Sequence, residues 1–131
     1  MTDSVLNRIL HVDDEPDIRE VARLALEEFG GFTIESCASG AQALEKAPTF
    51  SPDVILLDVM MPGMSGPDVL RALRVIPETA GIPVIFMTAK VQAREIAALT
   101  ELGAIGVIEK PFDPMTMSGQ VAEIWDRHVV R

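Results

Sequence analysis

Four short apolar runs in this chain each end at a polar or charged residue, and that arrangement restricts the fold more than any other feature. Ile9-Leu10-His11-Val12 runs into Asp13-Asp14, Val54-Ile55-Leu56-Leu57 into Asp58, Val84-Ile85-Phe86-Met87 into Thr88, and Val107-Ile108-Glu109 into Lys110. The runs are largely unbroken rather than alternating, as in strands of a parallel sheet covered on both faces. In an open parallel sheet the carboxyl ends of the strands form one edge, and ligands bind in the crevice there. Residues far apart in sequence should therefore meet in one pocket holding three carboxylates, a hydroxyl and an ammonium.

Two carboxylates about 4 Å apart repel by roughly 4 kcal/mol at an effective dielectric near 20, so the cluster needs a cation. An all-oxygen set suits a hard ion such as Mg²⁺, or Mn²⁺ in its place, and Mg²⁺ is often bound jointly with phosphate. Lys110 adds a point charge for an anionic group. Together these residues read as a site for phosphoryl transfer in which one Asp is the covalent acceptor, a role open to carboxylates.

Helical patterns alternate with the strands. Asp14 is the expected N-cap of a helix starting near Glu15, with Pro16 in its first turn, and Ile18, Val21, Ala22, Ala25 and Phe29 fall on one face. Gly30-Gly31 closes that helix. A strand from Thr33 to Cys37 leads to Ser39, the expected cap of a helix from about Gly40 to Lys46, and Pro48 and Pro52 frame the loop that follows. Ser65 caps a third helix bearing Val69, Leu70, Leu73 and Ile76. The fourth strand is expected at Pro83 to Met87, a helix from about Lys90 to Leu102, and the fifth strand at about Ile105 to Ile108. Asp113-Pro114 opens the last helix, with Val121, Ile124, Trp125 and Val129 toward the sheet. Five strands alternating with five helices give a three-layered α/β fold.

The 131 residues suit one domain over 1–131 with a single core, and 48% hydrophobic with 24% charged residues is a globular composition. A net charge of −9 argues against nucleic-acid binding, which needs a basic footprint. No secretory signal or membrane-spanning run is evident, so a cytoplasmic location is expected. The single cysteine, Cys37, cannot form an intrachain disulfide and reads as a small buried residue of strand two.

Four motifs in order, Val12-Asp13-Asp14-Glu15-Pro16, Leu57-Asp58-Val59-Met60-Met61-Pro62-Gly63, Met87-Thr88-Ala89 and Lys110-Pro111-Phe112, make the chain resemble a response-regulator receiver domain from about Arg8 to Val129. This is the phosphoacceptor module of two-component signalling. The resemblance implies a flavodoxin-like, doubly wound five-stranded parallel sheet of order 2-1-3-4-5, which brings Asp13 and Asp14 beside Asp58. It implies that Asp58 is the phosphorylated aspartate, Asp14 a direct metal ligand, Asp13 one acting largely through water, and the Met60 carbonyl the third protein ligand. Thr88 would hydrogen-bond the phosphoryl group, Lys110 would be its counter-ion, and the Lys110-Pro111 peptide would be cis. The implied donor is a histidine kinase or histidine phosphotransfer protein. A downstream protein would dock on the face of helix four, strand five and helix five.

His11 lies where such domains usually have an aliphatic residue, and it reads as a hydrogen-bonded strand histidine. His128 reads as a cation at the negative pole of the last helix. Where receivers commonly carry Tyr or Phe, three positions before the lysine, this chain has Val107, so the usual aromatic relay cannot operate. Met60 and Lys90 border the route of an attacking water. An Asp-nucleophile phosphatase would need a second Asp two residues after Asp58, where Met60 stands, and a dinucleotide-binding reading lacks Gly-x-Gly-x-x-Gly after strand one. A phosphorylation-independent interaction module is disfavoured because no expected pocket residue is missing. The chain is thus expected to act as a switch or relay intermediate and not as a classical enzyme.

Overall fold

The computed structural model describes residues 5–129. Its elements run β1 (Arg8–Val12), α1 (Pro16–Gly30), β2 (Thr33–Cys37), α2 (Gly40–Phe50), β3 (Val54–Asp58), α3 (Gly66–Arg74), β4 (Val84–Thr88), α4 (Ala93–Glu101), β5 (Gly106–Glu109) and α5 (Met117–Val129). The strands pair in parallel in the order β2-β1-β3-β4-β5, the flavodoxin-like arrangement.

Burial follows the strand sequences. Every residue of β3 and β4 is buried, whereas the edge strands β2 and β5 are partly open. Alternate residues of each strand feed two cores. Leu10, Val12, Ile55, Leu57, Val84 and Phe86 pack with Ala43 and Ala47 of α2, Val69, Leu70 and Leu73 of α3, and Leu99 of α4. On the opposite face Ile9, Val54, Leu56, Ile85, Met87 and Ile108 pack with Ala22 and Leu26 of α1 and Val121, Ile124 and Trp125 of α5. Each fully buried Leu or Ile contributes about 1.5–3 kcal/mol by leaving water, so these layers hold the sheet flat enough to present one common edge.

Several local expectations are corrected. The N-cap of α1 is Glu15, not Asp14, and it makes no side-chain cap bond. The buried face of α1 is Ala22, Ala25 and Leu26, while Val21 and Phe29 are 41% and 55% exposed. Helix α2 runs on through Pro48, because Phe50 packs on the core and is fastened by Arg8, whose Nε donates to the Phe50 carbonyl at 2.9 Å while its guanidinium stacks over the ring. Helix α3 ends at Arg74, before Ile76. Helix α4 begins at Ala93, since the Lys90 amide donates to Thr88 Oγ1 and turns residues 89–92 into a loop. Asp113 holds a separate turn, its Oδ1 accepting from the Met115 amide, before α5 starts at Met117. The Ser65 cap forms as expected, with Asp68 completing a reciprocal capping box.

Candidate functional site

β1 delivers Asp13 and Asp14 just past its last residue, and Asp58 and Thr88 are themselves the final residues of β3 and β4. The loop after Asp58 folds back tightly, with the Gly66 amide donating to the Val59 carbonyl at 2.9 Å. A side chain at Gly66 would meet the Asp58 carbonyl oxygen at 2.5 Å, so only glycine allows this approach. β5 brings Lys110 to the same edge, and the Lys110-Pro111 peptide is cis.

Lys110 Nζ donates to Asp13 Oδ2 at 3.0 Å and to Asp58 Oδ2 at 3.3 Å. Asp13 is wholly buried, and its second carboxylate oxygen accepts from the Glu15 amide at 2.9 Å. Asp14 is half-buried, and among the described residues nothing donates to its carboxylate. An oxygen from each of Asp13, Asp14 and Asp58 lies within 4.8 Å of the others. This all-oxygen donor set fits a hard divalent cation. The difference between the two neighbours is chemical as well as positional: Asp13 is already committed to Lys110 and the backbone, and Asp14 is open.

Burial and mutual charge set the protonation of the clustered groups. Burial, and then the charge of Asp13, push the Asp58 carboxyl above its ordinary pKa, with Lys110 opposing. Burial works against the Lys110 ammonium, but the hydrogen bond and charge of Asp13, helped by Asp58, outweigh it and raise its pKa. A cavity of about 280 Å³ opens on Asp14, Asp58, Met60, Thr88 and Lys110, and also on Glu15 and Ala89. Asp13 stands behind it rather than in its wall.

The structure thus brings together Asp13, Asp14, Asp58, Thr88 and Lys110, with Met60 at the rim and 66% exposed. Met60 also donates its amide to Asp58 Oδ1 at 3.3 Å. Glu15 and Ala89 line the site as motif residues without a role of their own in the sequence, and Arg19 stands outside the motifs. Arg19 reaches the site by donating from Nη1 to the Asp13 carbonyl at 2.7 Å.

Comparison with known proteins decides the family. Residues 9–122 match the response regulator receiver domain. The chain belongs to that family. Over 119 residues it is 37% identical to the DNA-binding response regulator MtrA of Mycolicibacterium smegmatis, which covers 91% of this chain and 50% of that protein. It is 33% identical, again over 119 residues, to the transcriptional regulatory protein CseB of Streptomyces coelicolor, covering 91% of this chain and 49% of that protein. The chain spans about half the length of such curated relatives. Among solved structures, the chemotaxis response regulator CheY4 of Vibrio cholerae superposes with a TM-score of 0.83 at 30% identity, covering 92% of this chain and 99% of that one. The receiver domain is accordingly a phosphoacceptor of two-component signalling.

One expectation outside the pocket, that for His11, comes out differently. Cys37 is buried as expected, and burial raises its thiol to about 11, which makes it inert. His11 is wholly buried but not hydrogen-bonded: neither ring nitrogen has a partner. In register it stands between Ser36 of β2, whose hydroxyl is also unpartnered, and Leu56 of β3. His128 sits in the last turn of α5 as expected, and its ring lies 6.2 Å from that of Trp125. Among the described residues no helix is long and apolar enough to cross a membrane.

Proposed function

We propose that residues 1–131 act as one receiver unit that takes a phosphoryl group onto Asp58 from a histidine kinase or histidine phosphotransfer protein. The observation that carries this reading is the Asp58 carboxylate at the floor of the cavity, 3.3 Å from Lys110 and beside the Asp13-Asp14 pair. An Asp58 oxygen attacks phosphorus in line as the bond to the donor imidazole breaks. The departing nitrogen keeps the electron pair and takes a proton from solvent. Lys110 and Thr88 meet the oxygens of the transferred group, and the protein contributes mainly position and charge complementarity. Asp14, Asp58 and the Met60 carbonyl would hold Mg²⁺ directly, with Asp13 acting through water, and bound Mg²⁺ would neutralise the gathering negative charge.

The product signals by binding a protein partner, through the face of α4, β5 and α5, or by passing the phosphoryl group on. The acidic composition favours a protein partner over nucleic acid, the setting is cytoplasmic, and the chain works as a switch rather than as an enzyme with a separate substrate. Intact-mass measurement after incubation with acetyl phosphate tests the reading. One phosphoryl addition is expected with Mg²⁺, little without it and none in Asp58→Asn. Labelling that survives the Asn substitution would overturn the acceptor assignment.

A further inference from the structure

We propose that Arg19 is a positioning residue for divalent-cation binding: it fastens the Asp13-Asp14-Glu15 turn at both ends and thereby holds the Asp14 carboxylate open to the cavity. The inference rests on reading Asp13, Asp14 and Asp58 as the cation site. At one end of the turn the Arg19 guanidinium donates from Nη1 to the Asp13 carbonyl at 2.7 Å. At the other its amide donates to the Glu15 carbonyl at 3.0 Å, closing the first turn of α1.

What Arg19 adds beyond the backbone bonds of this junction is the grip of its guanidinium on the Asp13 carbonyl. Glu15, the N-cap of α1, makes no side-chain cap bond, and Pro16 has no N–H to offer. The chain upstream is pinned by the Asp13 amide, which donates to the Cys37 carbonyl at 3.0 Å, and by Asp13 Oδ1, which takes the Glu15 amide. Asp14 lies between these anchors with no donor to its carboxylate among the described residues. Its aim therefore depends on the backbone alone, and the guanidinium is the side chain of α1 that grips that backbone. Groups that orient metal ligands from behind commonly change affinity by about 10–100-fold when lost.

The sign of the effect separates this role from two others. A guanidinium acting only as a nearby positive charge repels a second cation, so its removal would tighten binding. A residue that only stabilises the fold would leave affinity unchanged while lowering the melting temperature. A positioning residue must weaken binding when removed.

Calorimetric titration of Mg²⁺ into the full chain tests this with Arg19→Met, which keeps an apolar stem and loses the donors, and Arg19→Lys, which keeps a charged donor. Arg19→Met should weaken Mg²⁺ binding about tenfold and Arg19→Lys less. Amide exchange at Glu15 should quicken in Arg19→Met alone. Arg19→Gln carries the same expectation should Arg19→Met not fold. Unchanged or tighter Mg²⁺ binding in a folded Arg19→Met or Arg19→Gln protein overturns the positioning role. Asp14→Ala, titrated alongside, reports on the cation site itself: undiminished Mg²⁺ affinity there would remove the reading on which the inference rests.

Discussion

The ammonium of Lys110 lies 3.0 Å from the Asp13 carboxylate, closer than to Asp58 at 3.3 Å. Lys110 is thus tethered chiefly by Asp13, and with Asp58 as the proposed acceptor it can lean toward new oxygens there without being released.

Removing that ammonium leaves two buried carboxylates facing each other. Lys110→Met should destabilise the metal-free protein by about 3 kcal/mol, as expected when one partner of a buried pair is deleted. Because the folded-state pKa of Lys110 is raised, its contribution is fully present below the ordinary lysine value of 10.5 and is lost as pH rises through the raised value. Urea melts at neutral and strongly alkaline pH would check both points, since Lys110→Met should lack the alkaline decline.

Asp14 gives the opposite sign. Its half-buried carboxylate adds charge to the cluster without a donor of its own, so Asp14→Ala should stabilise the protein in EDTA by about 1–3 kcal/mol. Adding Mg²⁺ should then raise the parent's melting temperature much more than the variant's. A variant less stable than its parent in EDTA would refute the expectation.

His11 predicts an acid limb. Burial lowers its pKa from 6.5 to about 4, with Asp13 opposing and Lys110 and Arg19 adding to the effect. Between those values the unfolded chain takes up a proton that the folded chain refuses, so stability falls with falling pH, by up to about 3 kcal/mol. Asp58, whose pKa is raised, acts the other way as acid is added, so the His11 part is read as the difference between parent and His11→Phe. The difference between the denaturation midpoints of the two proteins should be constant above pH 6.5 and shift below it, with the parent losing more.

Switching should run through the β4–α4 loop. Val107 is half-buried against the α2–α3–α4 core and, being β-branched, has little χ1 freedom. By contrast the Lys90 amide hangs on the Thr88 hydroxyl, the α4 N-cap Gln92 makes no side-chain bond, and one buried Glu95 oxygen has no donor. A phosphoryl mimic that recruits the Thr88 hydroxyl should therefore rearrange this loop. Amide shifts on adding beryllofluoride should be largest, outside the pocket, from Lys90 to Glu95. A response centred on Val107 would count against it.

The strands and the residues at their ends were legible because each rests on a strong local pattern, an apolar run ended by polar or charged residues, whereas the sheet order came from the resemblance to receiver domains. What escaped was decided by contacts between distant segments. Pro48 reads as a helix breaker, yet the grip of Arg8 on Phe50 keeps α2 going past it. Val21 and Phe29 match the helical period of α1 but face outward, since Ala22, Ala25 and Leu26 lie closer to the sheet. His11 reads as a histidine with a partner, yet with Ser36 opposite it in register neither ring nitrogen is hydrogen-bonded. Asp13 and Asp14 are alike in sequence, and their division of labour follows from which one Lys110 reaches.

The Lys110–Asp13 contact joins residues 97 apart in the chain, and Lys110–Asp58 joins residues 52 apart. Contacts of such separation are entropically costly to close and form late. During synthesis the three acids emerge well before their lysine, which arrives only with the edge strand β5. Docking of the last strand therefore both completes the sheet and brings the counter-ion to these three acids.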